Sequence, residues 1–351
     1  MILKRIKIGS KYVNNKRCYV VAEVSANHNK NYNLLKKFLK DLKNTGVDAV
    51  KLQAYQANTI TINHKSNDFK IDSQNSWSKY QYLFNLYKNA ETPISWFPKI
   101  FKYCKKIKLD VFASVFDETN LKLLEKLNCP AYKIASPEIT DIPLIKKIAK
   151  TKKPIILSNG LGDLEDLKSA VKEIKKINRK LIILKCTSSY PAKIKSLNLN
   201  TMLDIKKKFN CLSGFSDHTI GIHTSIHAAS MGASMIEKHI KPSGIKTVDS
   251  FFSISLRELM NMIIIIRKNE ISNGNIDYQI SKSSKKNLNG RRSLYVIKDI
   301  KKGDLLNNKN IKSIRPSFGL HPKFLPKFLG KKSKINIKFG SRVKWELIKK
   351  I

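Results

Sequence analysis

Eight short apolar runs rich in β-branched residues punctuate the first 240 residues of this chain. They are CYVVAEVSA (18–26), AVKLQAY (49–55), DVFASVF (110–116), AYKIAS (131–136), PIILSN (154–159), LIILKCTS (181–188), CLSGFSD (211–217) and SMIEKHI (234–240). Between them lie stretches of helical period, at 32–44, 118–127, 164–177 and 219–231, and a last one at 256–268 follows the eighth run. Strand-length runs alternating with helices predict parallel βα units. No glycine-rich nucleotide fingerprint follows the first run. Eight successive units therefore favour a closed (β/α)8 barrel over the alternative, an open doubly wound sheet.

Beyond residue 270 the rhythm stops. The stretch 272–290 is polar and reads as a linker, and 291–348 holds short strands, glycine turns and prolines without βα alternation. The expected division is a barrel over 1–270, a linker over 271–290 and a small β-rich module over 291–351.

Charge excludes less than its size suggests. Lys and Arg number 68 against 26 Asp and Glu, a net charge of +42. The basic residues sit in twos and threes along the whole chain, as in 147–153, 172–180 and 205–209, rather than in one stripe. With no interleaved aromatic or groove-reading motif, they read as solvated faces and not as a nucleic-acid surface. Five cysteines without CxxC spacing point to reduced thiols in a cytoplasm. Charges interrupt the apolar residues of 1–12, so no signal peptide is expected. The longest aliphatic run, 263–266, is far below the ~20 residues of a membrane span, so no membrane partner is expected either.

In such a barrel the chemistry gathers at the C-terminal strand ends. Those ends carry Glu23 and then Ser25 to Asn29; Lys51 and Gln53; Ser114; Lys133, Ser136 and Glu138; Ser158 and Asn159; Thr187, Ser188 and Tyr190; Ser216, Asp217 and His218; and Glu237 and His239. Lys51 and Gln53, like Glu237 and His239, are two apart and so share one face of a strand. Charges inside an apolar strand need a partner or a ligand. Two ammonium groups, Lys51 and Lys133, with the hydroxyls of Ser114, Ser136 and Ser158, suit a ligand bearing phosphate and carboxylate. His218 and His239, on neighbouring strands, suit a divalent metal with open positions, and Glu23 suits an acid, a base or a third anionic partner. His223 and His227 stand at helical i, i+4 spacing but read as surface residues of an outer helix. His28 reads as a holder of the first loop. No GxSxG elbow is present, and no cysteine shows a specific histidine partner.

Taken together, VAEVSANHN (21–29), DAVKLQAY (48–55), YKIASPEITDIPLI (132–145), KPIILSNG (153–160), KCTSSYPA (185–192), GFSDHTIGI (214–222) and MIEKHI (235–240) resemble the sialic acid synthase family. SIRPSFGLHP (313–322) resembles the antifreeze-like domain that ends those enzymes. The resemblance spans nearly the whole chain, with its motifs in order. It implies condensation of phosphoenolpyruvate with the open-chain aldehyde of an N-acetylated amino sugar, giving a nine-carbon 2-keto acid and phosphate. It implies a divalent metal, manganese or magnesium, on His218 and His239, and a domain-swapped homodimer. Carried over by motif, Lys51, Ser114, Lys133, Ser136 and Ser158 would hold phosphoenolpyruvate. Glu23, Gln53, Tyr190 and Glu237 would line the site, and Glu138, Ser188 and Ser216 would join the substrate contacts. Asp249 would meet the sugar, and Arg315 would reach the partner subunit's sugar pocket.

SANHN, ITDIPLI, KCTSSYPA, RRSLYV and IRPSFGLHP look most like pseudaminic acid synthases, whose sugar would be 2,4-diacetamido-2,4,6-trideoxy-L-altrose. Neuraminate and legionaminate synthases are the alternatives. Lys30, Ser188 and the segment HIKPSGIKTVDS (239–250) depart from the commoner pattern and bear on the sugar. Two rival readings differ in class: a Schiff-base aldolase using Lys51, Lys133, Lys185 or Lys238, and a non-catalytic basic binding protein.

Overall fold

A computed structural model describes residues 5–349, and the chain divides into two compact units between Gly274 and Asn275. The first unit opens with an antiparallel hairpin, β1 (Arg5–Ile8) and β2 (Lys11–Asn14). Eight parallel strands follow: β3 (Tyr19–Glu23), β4 (Ala49–Ala54), β5 (Asp110–Val115), β6 (Tyr132–Ile134), β7 (Ile155–Asn159), β8 (Leu181–Cys186), β9 (Leu212–Asp217) and β10 (Met235–His239). They close into a barrel, with β10 hydrogen-bonded back to β3. The open sheet is thereby excluded.

The helices around it are α1 (Tyr32–Lys43), α2 (Ala57–Ile60), α3 (Leu83–Ala90), α4 (Trp96–Lys106), α5 (Glu118–Lys126), α6 (Ile142–Lys150), α7 (Leu164–Ile177), α8 (Asn200–Lys208), α9 (His223–Ser230) and α10 (Leu256–Asn273). The sequence dictates their inner faces. On α1, Leu35, Phe38, Leu39 and Leu42 recur at helical spacing and are buried, while Asn31 caps the start by accepting the Leu34 N–H. Asp163 caps α7 in the same way and exchanges hydrogen bonds with Asp166. Lysines fill the opposite faces and last turns, where they meet the carbonyl end of the helix dipole.

Inside the barrel the face changes character along each strand. Tyr19, Phe112 and Met235 are fully buried and share the inward face with Glu23, Ser114 and Glu237 nearer the strand ends. The N-terminal hairpin adds Ile6, Ile8 and Val13 to the core, and Ser10 donates from its N–H and hydroxyl to Asp110 at the start of β5. Gly9 between the hairpin strands has φ +59°, and a Cβ there would fall 2.4 Å from the Asp110 carboxylate, so only glycine fits.

Two boundaries differ from expectation. The helix expected over 256–268 runs on to Asn273, into the first residues read as linker, and stops where Gly274 takes φ +51°. The helix expected from residue 219 begins at His223, since Thr219 is engaged in bonds to Asp217 instead. The second unit pairs β11 (Ser293–Val296) antiparallel with β12 (Ile311–Ile314), and α11 (Lys282–Lys285) is a single turn before them. Leu294, Val296, Leu306, Ile311, Phe328 and Leu347 give this unit its own small core. Among the described residues no helix is long and apolar enough to cross a membrane.

Candidate active site

A cavity of about 410 Å³ opens at the C-terminal ends of the barrel strands. Its floor is polar and collects residues that lie far apart in sequence. Lys51 of β4, Ser114 of β5, Lys133 of β6, Ser158 of β7 and Ser216 of β9 all line it, joined by Glu237 and His239 of β10. Gln53, Ser136, Ser188, Tyr190, His218 and Asp249 complete the set of expected residues that reach it.

The two lysines are buried and share one carboxylate. Nζ of Lys51 and of Lys133 lie 3.4 Å and 3.3 Å from Oε1 of Glu237, which also accepts from the Ser216 hydroxyl at 3.0 Å. Burial alone would raise the Glu237 pKa, but Lys133 and then Lys51 outweigh it and bring the carboxyl to about 2. Glu237 is therefore an anion at neutral pH. Lys51 also donates to Ser114 at 2.9 Å. Burial disfavours its charge, but Glu23 and Glu237 more than compensate and hold its pKa above the ordinary lysine value. Lys133 goes the other way, since burial outweighs Glu237.

Glu23 and Glu138, both expected to touch the ligand, do not line the cavity. Glu23 is fully buried beside its register partner Lys51, whose longer side chain reaches the cavity. Its Oε2 stands 2.9 Å from Nζ of Lys51, near enough for an ion pair but not aligned as a hydrogen bond. Glu138 lies on the 3-10 turn Ser136–Thr140, which presents Ser136 and Pro137 to the cavity instead. Its Oε2 is enclosed without a partner, and burial pushes its pKa to about 7. Arg315 directly follows β12 in the second unit.

The histidines sort by place. His218 and His239 face each other with ring centroids 5.2 Å apart. Nδ1 of His218 stands 3.0 Å from the Thr187 carbonyl, a bond that leaves Nε2 as the free nitrogen. Nδ1 of His239 is buried with no partner, and burial followed by the nearby His218 holds this ring well below the usual histidine range, hence neutral. Among the described residues no three His, Cys, Asp or Glu side chains converge as a metal cage. Two imidazoles, each with one ring nitrogen left free by the protein, still fit a divalent ion whose other positions are taken by water or substrate. His223 and His227 lie exposed and stacked on α9, and His28 bonds Thr92 at 3.1 Å beneath the first loop.

Several lining residues have no clear sequence signal. Cys186 lies with its Sγ 3.7 Å from Nδ1 of His218, a histidine partner that spacing did not show. Trp77 and Asn75 arrive on the long loop after α2, where a tryptophan set among polar residues is the one local signal. Trp77 donates Nε1–H to Asp249 at 3.2 Å, while Ser25 donates to the other Asp249 oxygen at 2.6 Å and Gln53 donates to Ser25 at 3.0 Å. Asp249 thus ties the loop, the first strand end and β4 together. Of the lysines open to a Schiff base, Lys51 and Lys133 line the cavity, while Lys185 and Lys238 are not among its lining residues.

Comparison with known proteins agrees with this geometry. Residues 38–278 match the model of the NeuB family, and residues 291–349 match the SAF domain. The chain is 43% identical over 90% of its length to a pseudaminic acid synthase of Helicobacter pylori, covering 93% of that enzyme. It is 34% identical over 92% of its length to an N,N'-diacetyllegionaminic acid synthase of Campylobacter jejuni, covering 98% of that one. The crystal structure of an N-acetylneuraminic acid synthetase from Leptospira borgpetersenii superposes with a TM-score of 0.70 at 26% identity, over 81% of this chain and 95% of that one.

Proposed function

The chain belongs to the NeuB family, and from that premise we propose that it condenses phosphoenolpyruvate with 2,4-diacetamido-2,4,6-trideoxy-L-altrose to give pseudaminic acid and phosphate. The observation that carries this reading is the meeting of two buried lysines and a ring of serine hydroxyls in one cavity, whose lining also includes the apolar Ile71, Leu83 and Leu86. Phosphoenolpyruvate brings two anionic groups, and Lys51 and Lys133 with Ser114, Ser136 and Ser158 match them.

The reaction balances as follows. C3 of the enol attacks the aldehyde carbon, whose oxygen takes a proton and becomes a hydroxyl. Water adds at C2, and the tetrahedral carbon expels inorganic phosphate with its bridging oxygen to leave the 2-keto acid. Lys51 and Lys133 hold the phosphate and carboxylate, and they neutralise the charge that gathers on the departing phosphate. Glu237, kept anionic by both lysines, orients the attacking water or takes its proton. Glu23 acts through Lys51, keeping it charged. Asp249, Gln53 and Tyr190 align the sugar, and holding the two reactants together supplies much of the rate. A manganese or magnesium ion on His218 and His239 supplies, when bound, Lewis acidity towards the aldehyde oxygen.

A domain-swapped homodimer, with Arg315 reaching the partner subunit's sugar pocket, belongs to the same proposal. It is supported by the SAF domain at 291–349, which has a core of its own. The cytoplasm is the proposed compartment, supported by five cysteines that are all free. The test mixes Lys133→Ala and Arg315→Ala proteins, each inactive alone. Phosphate release from phosphoenolpyruvate and the sugar should return after subunit exchange, because some barrels then meet an intact Arg315. No rescue, with exchange confirmed, would defeat the swapped arrangement.

A further inference from the structure

The roof of the cavity is as apolar as its floor is charged. The segment between β4 and β5 builds it. On α3, Leu83, Leu86, Tyr87 and Ala90 fall at i, i+3, i+4 and i+7, one helix face, yet only Ala90 of this helix is buried. The other three are half-buried because their common face is turned to the cavity, which all four line together with Ile71. A surface helix normally covers such a stripe with core. Here the cavity takes the place of the core.

The wall is held in place. Ile71 donates its N–H to the Gln81 carbonyl at 2.7 Å, and Lys70 and Tyr82 form an antiparallel bridge that folds the loop back on itself. Glu91, at the end of α3, accepts the Ala57 N–H at 2.8 Å and pairs with Lys88 and Lys30. Tyr87 packs edge-on against buried Tyr55, with ring centroids 5.8 Å apart. Among the described residues of this chain, Lys51 and Lys133 are the only lysines or arginines that line the cavity, and both belong to the floor.

Resting on the condensation reading above, we propose that this wall of Ile71, Leu83, Leu86, Tyr87 and Ala90 is a specificity subsite that seats the C6 methyl end of the sugar. It makes the enzyme select 6-deoxy sugars over 6-hydroxy and 6-phosphorylated ones. The aldehyde carbon C1 must meet phosphoenolpyruvate on the lysine floor. The far end of the open chain, C6, then points to the part of the cavity built by the connection above the strand ends. A methyl group there buries apolar area against leucine. A hydroxyl facing Ile71, Leu83 and Leu86 would lose water without gaining a partner from them, and a phosphate would meet no lysine or arginine of this wall.

The test is a matched pair of sugars: 2,4-diacetamido-2,4,6-trideoxy-L-altrose and its 6-hydroxy counterpart, with the 6-phosphate of the latter as a third arm. With saturating phosphoenolpyruvate and manganese, the wild type should favour the 6-deoxy sugar by roughly 10- to 100-fold in kcat/KM, the range a hydrophobic pocket commands. The 6-phosphate should be poorer still. Leu83→Asn and Leu86→Asn place an amide on the wall at half-exposed positions. Each should shrink the preference mainly by lowering kcat/KM for the 6-deoxy sugar, with the KM for phosphoenolpyruvate and the melting curve kept. Equal use of the matched pair by the wild type, or a preference unchanged in both variants, would overturn the subsite. Phosphate release from no sugar at all would instead defeat the condensation reading beneath it.

Discussion

Glu23 and Lys51 are register partners on β3 and β4, with Nζ 2.9 Å from Oε2, yet only the lysine reaches the cavity. The carboxylate therefore serves by keeping a buried ammonium charged. Glu23→Gln should cut kcat/KM for phosphoenolpyruvate by about 2 kcal/mol, roughly 30-fold, without Glu23 ever touching the ligand. The sign of the pH effect is set by the pair. Removing the anion lowers the pKa of Lys51, so the alkaline limb of the kcat/KM profile should move to lower pH. An unshifted limb with reduced activity would mean a role other than charge support.

A second pair lies behind the histidines. Lys238 and Asp217 are both fully buried, 3.0 Å apart, and each immediately precedes one of them, His239 and His218. Asp217 also accepts from Thr219, Thr224 and Ser225, and Lys238 donates to the Thr219 carbonyl. Lys238→Met leaves a buried carboxylate without its cation and should destabilise the fold by about 3 kcal/mol in denaturant melts. Adding Asp217→Asn to it should cost less than the sum of the two single changes, the mark of a coupled pair.

Much of this was legible in the sequence. Period-two spacing within apolar runs placed Lys51 with Gln53 and Glu237 with His239 on inward faces, and the barrel follows from the eight runs themselves. Depth was not legible. Glu23 and Lys51 look equivalent as strand-end charges, and only their side-by-side pairing shows that the longer side chain covers the shorter. Nor was the roof legible, because α3 is a short amphipathic helix like any other until the missing core beneath it is seen. Trp77 and Cys186 depend on loop closure and on contact between strand ends, neither of which leaves a local pattern.

Glu138 gives a stability signal. Burial raises its folded pKa to about 7, against an ordinary value of 4.5, so the folded chain keeps a proton that the unfolded chain releases. Stability should then fall as pH rises from about 4.5 to about 7, and Glu138→Gln should flatten that slope. Because the residue is only half-buried, the stability lost by the time pH exceeds 7 should be modest, of order 1–2 kcal/mol. Chemical melts at pH 5 and pH 8 for both proteins measure it; equal slopes would contradict the shift.

If His218 and His239 hold a divalent ion, chelation should abolish activity and manganese should restore it. His218→Ala and His239→Ala should lose manganese binding, read by calorimetry, as well as turnover, while the chain stays folded. His223→Ala and His227→Ala, on the exposed face of α9, should bind and turn over as the wild type does.

The measurement closest to the central claim uses phosphoenolpyruvate labelled with oxygen-18 at its bridging oxygen. Incubated with 2,4-diacetamido-2,4,6-trideoxy-L-altrose and manganese, the protein should release one phosphate per nine-carbon acid formed, and that phosphate should carry the label, since water attacks C2 and the C–O bond breaks. Lys133→Ala should release almost none, while Lys150→Ala and Lys206→Ala, outside the cavity, should behave as wild type. Unlabelled phosphate, phosphate released without the sugar, or a borohydride-trapped adduct on Lys133 would contradict the account.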